Sequence, residues 1–211
     1  MANILLGVTG SVAAIRTHAI VAALVDHGHA VKLVVTESAR YFFDLETLRD
    51  RTMTDADEWP GDRYERGEPV RHIELRNWAD LFLIAPLDAN TLAKLAVGLC
   101  DNALTCVWRA WEPSRPVVLA PAMNTLMWQH PFTRRHLRSL AADFGAGHLP
   151  GHLDQDELLP LINDRAIGLH VVPTISKLLA CGDVGVGAMA EVPEIVAAVT
   201  EMLAVATRSS S

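Results

Sequence analysis

Three side chains in this sequence combine reactive chemistry with telling surroundings. Cys181 heads the stretch CGDVGVGAMAE, where one thiol is followed by Gly182, Gly185 and Gly187. Such a thiol can be a redox group, a metal ligand, a nucleophile, a proton donor or a small residue in a turn. His72, in HIELRNWADLFLIAP, is one of nine histidines; a neutral imidazole can act as a base near neutral pH. Asn124, in PAMNTLMWQHP, sits just past an apolar run and between Met123 and Met127. Its amide either caps a short helix or meets a polar substrate group in a pocket lined by methionine and Trp128. Metal chemistry finds no defensible spacing. Cys100 and Cys106 have five residues between them and no partner pair, and read as small core residues of a helical GLCDNALTCVW. His148, His152, Asp154, Asp156 and Glu157 read as solvated loop residues, so no metal is expected. Three cysteines, an odd and small number, point to a reducing, cytoplasmic setting without a disulfide framework.

Other residues suit an anionic cofactor. In GVTGSVAA (Gly7–Ala14), Gly10 permits a tight turn and Ser11 opens a helix, with Val12 next. The free N–H groups and dipole of a helix start favour phosphate. The spacing is neither G-x-G-x-x-G nor a P-loop, and a plain glycine turn with an N-cap remains an alternative. Glu37 is placed to hold a ribose, but Thr36 and Ser38 beside it suit a phosphate or flavin edge better. APLDANTLAK brings Asp88, Asn90 and Thr91 to another helix start, either as ligand contacts or as ordinary capping by Asp88.

These residues need a scaffold that gathers loop ends. Asn3–Thr9, Ala30–Thr36, Ala79–Pro86, Pro116–Met123 and Gly168–Pro173 read as strands. Helical periodicity covers Ser11–His27, Ala89–Leu99, Pro131–Gly145 and Val192–Ala206. The alternation predicts one α/β domain over residues 1–211: a three-layer, flavodoxin-like or Rossmann-like fold with a central parallel sheet. Ligands of such sheets collect beyond the carboxyl ends of the strands. Two polar segments, 44–71 and 146–166, interrupt the rhythm and read as irregular surface excursions of a functional or mobile kind. The tail 207–211 reads as frayed. Of 211 residues half are hydrophobic, and the formal net charge is −7 without a dense basic cluster. Neither nucleic acid nor an anionic membrane surface is therefore expected as a partner. No apolar run approaches the roughly 18 residues of a membrane span, and NILLGVTGSVAAI lacks the basic leader of a signal peptide.

GVTGSVAA, HIELRNWADLFLIAPLDANTLAK, GLCDNALTCVWRAW, PAMNTLMW and LACGDVGVGAMAE together resemble the phosphopantothenoylcysteine decarboxylases. These are flavin-dependent cysteine decarboxylases related to the halotolerance flavoproteins and the lantibiotic peptidyl-cysteine decarboxylases. The resemblance runs from about Asn3 to Val199 apart from the two excursions. It implies FMN as cofactor and 4'-phosphopantothenoylcysteine as substrate. The substrate thiol is oxidised to a thioaldehyde, CO2 leaves, and the ene-thiol is re-reduced to 4'-phosphopantetheine for coenzyme A biosynthesis. It implies that Gly10, Ser11 and Val12 hold the FMN phosphate with Thr36 and Ser38 nearby, and that Asp88, Ala89, Asn90, Thr91 and Ala122 line the cofactor. His72 is then the base or carboxylate-orienting group, Asn124 and Met127 hold the substrate, and Cys181 donates a proton from a closing flap. A homotrimer, sometimes grouped into a dodecamer, is implied as well. The expected enzyme is monofunctional, without the synthetase domain fused to many bacterial versions. Relatives often carry two arginines after the HIEL element, where this chain has Arg76 and Asn77. Two other readings stay open: a non-catalytic regulator of a protein phosphatase, and a decarboxylase of C-terminal peptidyl cysteine. A nicotinamide dehydrogenase is more remote, because no G-x-G-x-x-G is present.

Overall fold

The computed structural model describes residues 1–63, 65–178 and 184–209. Among these, six strands form the central sheet: β1 (Asn3–Val8), β2 (Ala30–Val35), β3 (Thr52–Met53), β4 (Leu81–Leu87), β5 (Val117–Pro121) and β6 (Leu169–Val171). They lie in the order β3-β2-β1-β4-β5-β6 and all pair in parallel. Strand order reverses between β1 and β4, the doubly wound arrangement whose switch point opens a crevice at the strands' carboxyl ends.

Side-chain alternation along each strand builds two cores. Ile4, Leu6 and Val8 of β1 join Leu33, Val35, Leu81 and Leu83 on one face. That face is covered by α1 (Thr17–Asp26), through Ile20 and Leu24, and by α9 (Val192–Ser209), through Ile195 and Val199. Leu5, Val34, Phe82, Ile84, Val117 and Leu119 face the other way. There they meet α3 (Arg71–Trp78), α4 (Ala89–Val97), α5 (Ala103–Ala110), α7 (Pro131–Asp143) and α8 (Gln155–Arg165). β4 is fully buried along its length, as a near-continuous apolar run at the centre of a two-sided sheet must be.

The structure differs from the sequence-based expectations in several places. The single helix expected over Ser11–His27 is a 3-10 turn, Val12–Arg16, followed by α1. The Thr17 hydroxyl donates to the Ala14 carbonyl at 2.7 Å and closes the tighter turn. Segment 44–71 is not wholly irregular: it supplies the edge strand β3 and the one-turn α2 (Asp55–Glu58). Segment 146–166 contains the 11-residue α8, opened by a capping box between Asp154 and Glu157. Cys100 is not a helical core residue. It is exposed and precedes α5, which starts only after its cap Asn102. Thr207 and Arg208, expected to fray, belong to α9. Val184–Ala188, which holds Gly185 and Gly187, forms β8, antiparallel to β7 (Ile175–Leu178).

Candidate active site

Thr9, buried at the end of β1, fastens two strand ends together. Its hydroxyl donates to the Pro86 carbonyl at 2.8 Å and accepts from the Asp88 N–H at 2.8 Å. Gly10 follows, where a Cβ would lie 2.4 Å from Ser38 Oγ and 3.2 Å from Asp88 Oδ2. The ends of β1, β2 and β4 therefore meet around a position that only glycine fits. Thr36 and Ser38 share a hydrogen bond of 3.2 Å, with Thr36 buried and Ser38 exposed. Ser11 caps the 3-10 turn by accepting from the Ala13 N–H at 3.4 Å, and Val12 is exposed.

Asp88 caps α4, with Oδ1 accepting from the Thr91 N–H at 2.6 Å. The capping role left open by the sequence is therefore filled, while Oδ2 stays near the Gly10 cradle. Thr91 and Ala122 are almost fully covered and do not line the groove beside them. Ala89 and Asn90, half-buried and exposed, open onto a groove of about 500 Å³. Asn124, Leu126, Met127 and Phe132 line its far wall.

Asn124 caps the one-turn α6 (Thr125–Trp128), its Oδ1 accepting from the Met127 N–H at 2.8 Å. Capping uses only the amide oxygen. Among the described residues the NH2 group donates to nothing, so one exposed side chain both caps and offers two donors. The β7–β8 hairpin is tied to this segment. The Met123 N–H donates to the Gly187 carbonyl at 2.9 Å, and the Thr125 hydroxyl to the Val186 carbonyl at 3.0 Å. Gly187 has φ +106, and a Cβ there would sit 2.6 Å from the Met123 carbonyl oxygen. Cys181 lies outside the described residues.

Trp128, fully buried, anchors α6 from below. Its indole N–H donates to Asp156 at 3.2 Å, and its carbonyl accepts from Gln155, which also reaches the His130 carbonyl at 3.2 Å. Both partners come from α8.

His72 does not line this groove. It stands at the start of α3, where Val70 offers no side-chain cap. Glu58 of α2 takes that place. Oε2 accepts from the His72 backbone N–H at 2.8 Å, and Oε1 lies 2.5 Å from the ring Nδ1. The Glu58 side chain is 5% exposed against 23% for His72. The sequence reading missed Glu58 and Gln155, and it took Asp156, which sits on α8 and accepts from Trp128, for a solvated loop residue. The signal available was the capping box, T-x-x-D at Thr54 and D-x-x-E at Asp154. At the other end of α3, Arg76 pairs with Glu112 and donates to Asn77 Oδ1 at 2.6 Å, with Asn77 exposed. Among the described residues no group of three or more His, Cys, Asp or Glu is placed to hold a metal ion. No helix of the described residues is long and apolar enough to cross a membrane.

Residues 1–204 match the model of a family described as Flavoprotein. The chain belongs to the flavoprotein family. Within the flavoprotein family it is 45% identical to a phosphopantothenoylcysteine decarboxylase of Mus musculus, over 95% of this chain and 87% of that one. A solved phosphopantothenoylcysteine decarboxylase variant, complexed with pantothenoylaminoethenethiol, superposes with a TM-score of 0.77 at 43% identity. That alignment covers 94% of this chain and 96% of the other. The FMN binding protein AtHal3 superposes with a TM-score of 0.74 at 44% identity, covering 94% and 95%.

Proposed function

We propose that this flavoprotein decarboxylates 4'-phosphopantothenoylcysteine to 4'-phosphopantetheine with FMN, as a carboxy-lyase of coenzyme A biosynthesis. The observation that carries the reading is the shared groove. Ala89 and Asn90, next to the Gly10 cradle, face Asn124 and Met127 across one cleft. The flavoprotein family match, the mouse decarboxylase and the two solved relatives support the same chemistry.

The residues present fit FMN. The missing Cβ at Gly10 lets Ser38 approach the start of the Ser11 turn, so a hydroxyl and free backbone N–H groups lie together where its phosphate would be held. Gly10, Ser11 and Val12 would hold that group, with Thr36 and Ser38 beside it. Asp88, Ala89 and Asn90, with Thr91 and Ala122 behind them, would line the cofactor. Bound FMN supplies a two-electron oxidation of the substrate thiol and later returns the electrons.

The chain's own groups handle binding and protons. The free NH2 of Asn124 donates to the substrate's carboxylate or amide oxygen, and Met127 supplies an apolar wall. His72 orients the carboxylate or takes the proton released as thiol becomes thioaldehyde. When CO2 leaves, its bonding pair moves into the new C=C bond as the sulfur takes up charge, giving the ene-thiol. Cys181 delivers a proton in the final reduction. Gly187, fixed against Met123, would hold β8 in register with Asn124.

We also propose a homotrimer, or a dodecamer of trimers. His72 stands off the groove that holds Asn124, so a second copy's His72 would complete the site. Exposed Trp59, Val70 and Ile73 near His72, and Leu126, Met127 and Phe132 at the groove, are apolar surface that association would cover. A cytoplasmic location is consistent with the free thiols Cys100 and Cys106.

The test is CO2 release by purified, FMN-loaded protein from 4'-phosphopantothenoylcysteine and, in parallel, from a peptide ending in cysteine. Turnover of the first substrate alone is expected. Preference for the peptide, or a protein that neither retains FMN nor is rescued by it, overturns the reading. Gly10→Val is expected to abolish FMN retention, read by flavin absorbance after desalting.

A further inference from the structure

We propose that Glu58 is a positioning residue for His72: it locks the imidazole in the tautomer that carries hydrogen on Nδ1 and leaves the Nε2 lone pair for the reaction. This rests on the assignment of His72 to the decarboxylation.

The two contacts determine the tautomer. An ionised carboxylate is acceptor-only, so the 2.5 Å approach of Oε1 to Nδ1 requires hydrogen on Nδ1. In a neutral ring Nε2 is then the acceptor. The second contact fixes orientation. Oε2 accepts from the backbone N–H of the same residue at 2.8 Å, so ring and main chain are held by one carboxylate. That N–H is one of the donors a helix start leaves without an intrahelical partner. With Val70 unable to cap, Glu58 caps α3 from another element and restrains the ring at the same time.

Glu58 is itself immobilised. α2 has four residues, Asp55, Ala56, Asp57 and Glu58, too few for independent stability. Its other two carboxylates tie it down. Asp57 closes a capping box with Thr54 and meets Arg49 at 2.6 Å. Asp55 accepts from the Ala103 N–H at the start of α5, at 2.8 Å. The α2 turn is thus stapled to the segment before β3 and to α5, and its third carboxylate is left to hold His72. Burial of Glu58 strengthens the pairing, because a covered carboxylate without donors would be strongly disfavoured.

A simpler role, an ion pair that only docks α2 on α3, makes different predictions. Glu58→Gln keeps the side chain's shape and an acceptor for the backbone N–H, but its amide no longer presents two acceptor oxygens. The expected result is unchanged FMN retention and KM, with kcat lower by about 10²-fold, the scale of a misdirected general base. In the His72→Asn background, Glu58→Gln is expected to cause no further loss, because its effect passes through the ring. Long-range ¹H–¹⁵N spectra of histidine-labelled wild-type protein should show His72 with hydrogen on Nδ1 and a bare Nε2. Glu58→Gln should shift it towards the other tautomer. A wild-type ring protonated on Nε2, a kcat within about twofold of wild type, or full additivity with His72→Asn overturns the proposal. The wild-type spectrum decides even if the variant does not fold. It also separates this proposal from the functional reading: a protein that releases no CO2 yet shows the Nδ1–H tautomer refutes the reading and leaves Glu58's hold on His72 intact.

Discussion

Segments 44–71 and 146–166 look alike in sequence, both polar and both interrupting a strand–helix rhythm, yet they act on different things. The first delivers a buried carboxylate to one imidazole ring: Glu58 holds His72 at two points. The second delivers shape: Gln155 and Asp156 of α8 grip Trp128, whose burial sets the position of α6 and therefore of Asn124 and Met127. Damage to the first region should alter chemistry with little effect on stability. Damage to the second should alter stability and substrate fit together. The short α2, bearing three carboxylates, aims one group, whereas the longer α8 braces a wall through Gln155 and Asp156.

The contrast can be broken by experiment. His72→Asn should lower CO2 release by about 10²- to 10⁴-fold while FMN stays bound, the range for loss of a general acid–base group; normal turnover would remove the first region's chemical role. Trp128→Ala should destabilise the fold by about 3–5 kcal/mol, as truncation of a fully buried aromatic does. Urea unfolding checks this, and a shift of less than about 1 kcal/mol would show that α6 does not depend on its anchor. Gln155→Ala leaves the Trp128 and His130 carbonyls without a donor they now have. It should cost about 1–3 kcal/mol and raise KM more than it lowers kcat. The reverse split would erase the distinction between the regions. The smallest effect concerns Cys106. Burial first, then Cys100 and the carboxylates of Glu58 and Asp55, push its thiol up to about 11. At pH 8 the thiolate is then on the order of a thousandth of the total, and alkylation is slow. Glu58→Gln removes one of these charges, so labelling of Cys106 should quicken. An unchanged rate would mean that the Glu58 charge does not reach it.

Much of the fold was legible because apolar periodicity is a local signal. The nearly all-apolar run Ala79–Pro86 reads as a strand, and β4 is the buried central one; Asp88 and Asn124 stand as possible caps of helices that do exist. What escaped was set by tertiary contact. β3 has two residues and exists because Leu33 and Val34 of β2 pair with it. No periodicity marks a strand that short. Cys100 lies in a helix-like run, but Asn102 starts the helix after it. Of the candidate site, the strand-end residues were legible from the rule that ligands gather there. Glu58 was not, because its partner lies 14 residues away and nothing in DADE says which carboxylate will be buried.

The central claim is that one groove, completed by His72, turns 4'-phosphopantothenoylcysteine into 4'-phosphopantetheine. The most direct measurement is the mass of the product formed by the wild-type, FMN-loaded protein from that substrate. The account predicts a product lighter by one CO2 and fully reduced, with a Cys181→Ser variant stopping at the oxidised ene-thiol, lighter by a further two hydrogens. Unchanged substrate mass with the wild-type protein, or a fully reduced product from the Cys181→Ser variant, would contradict it.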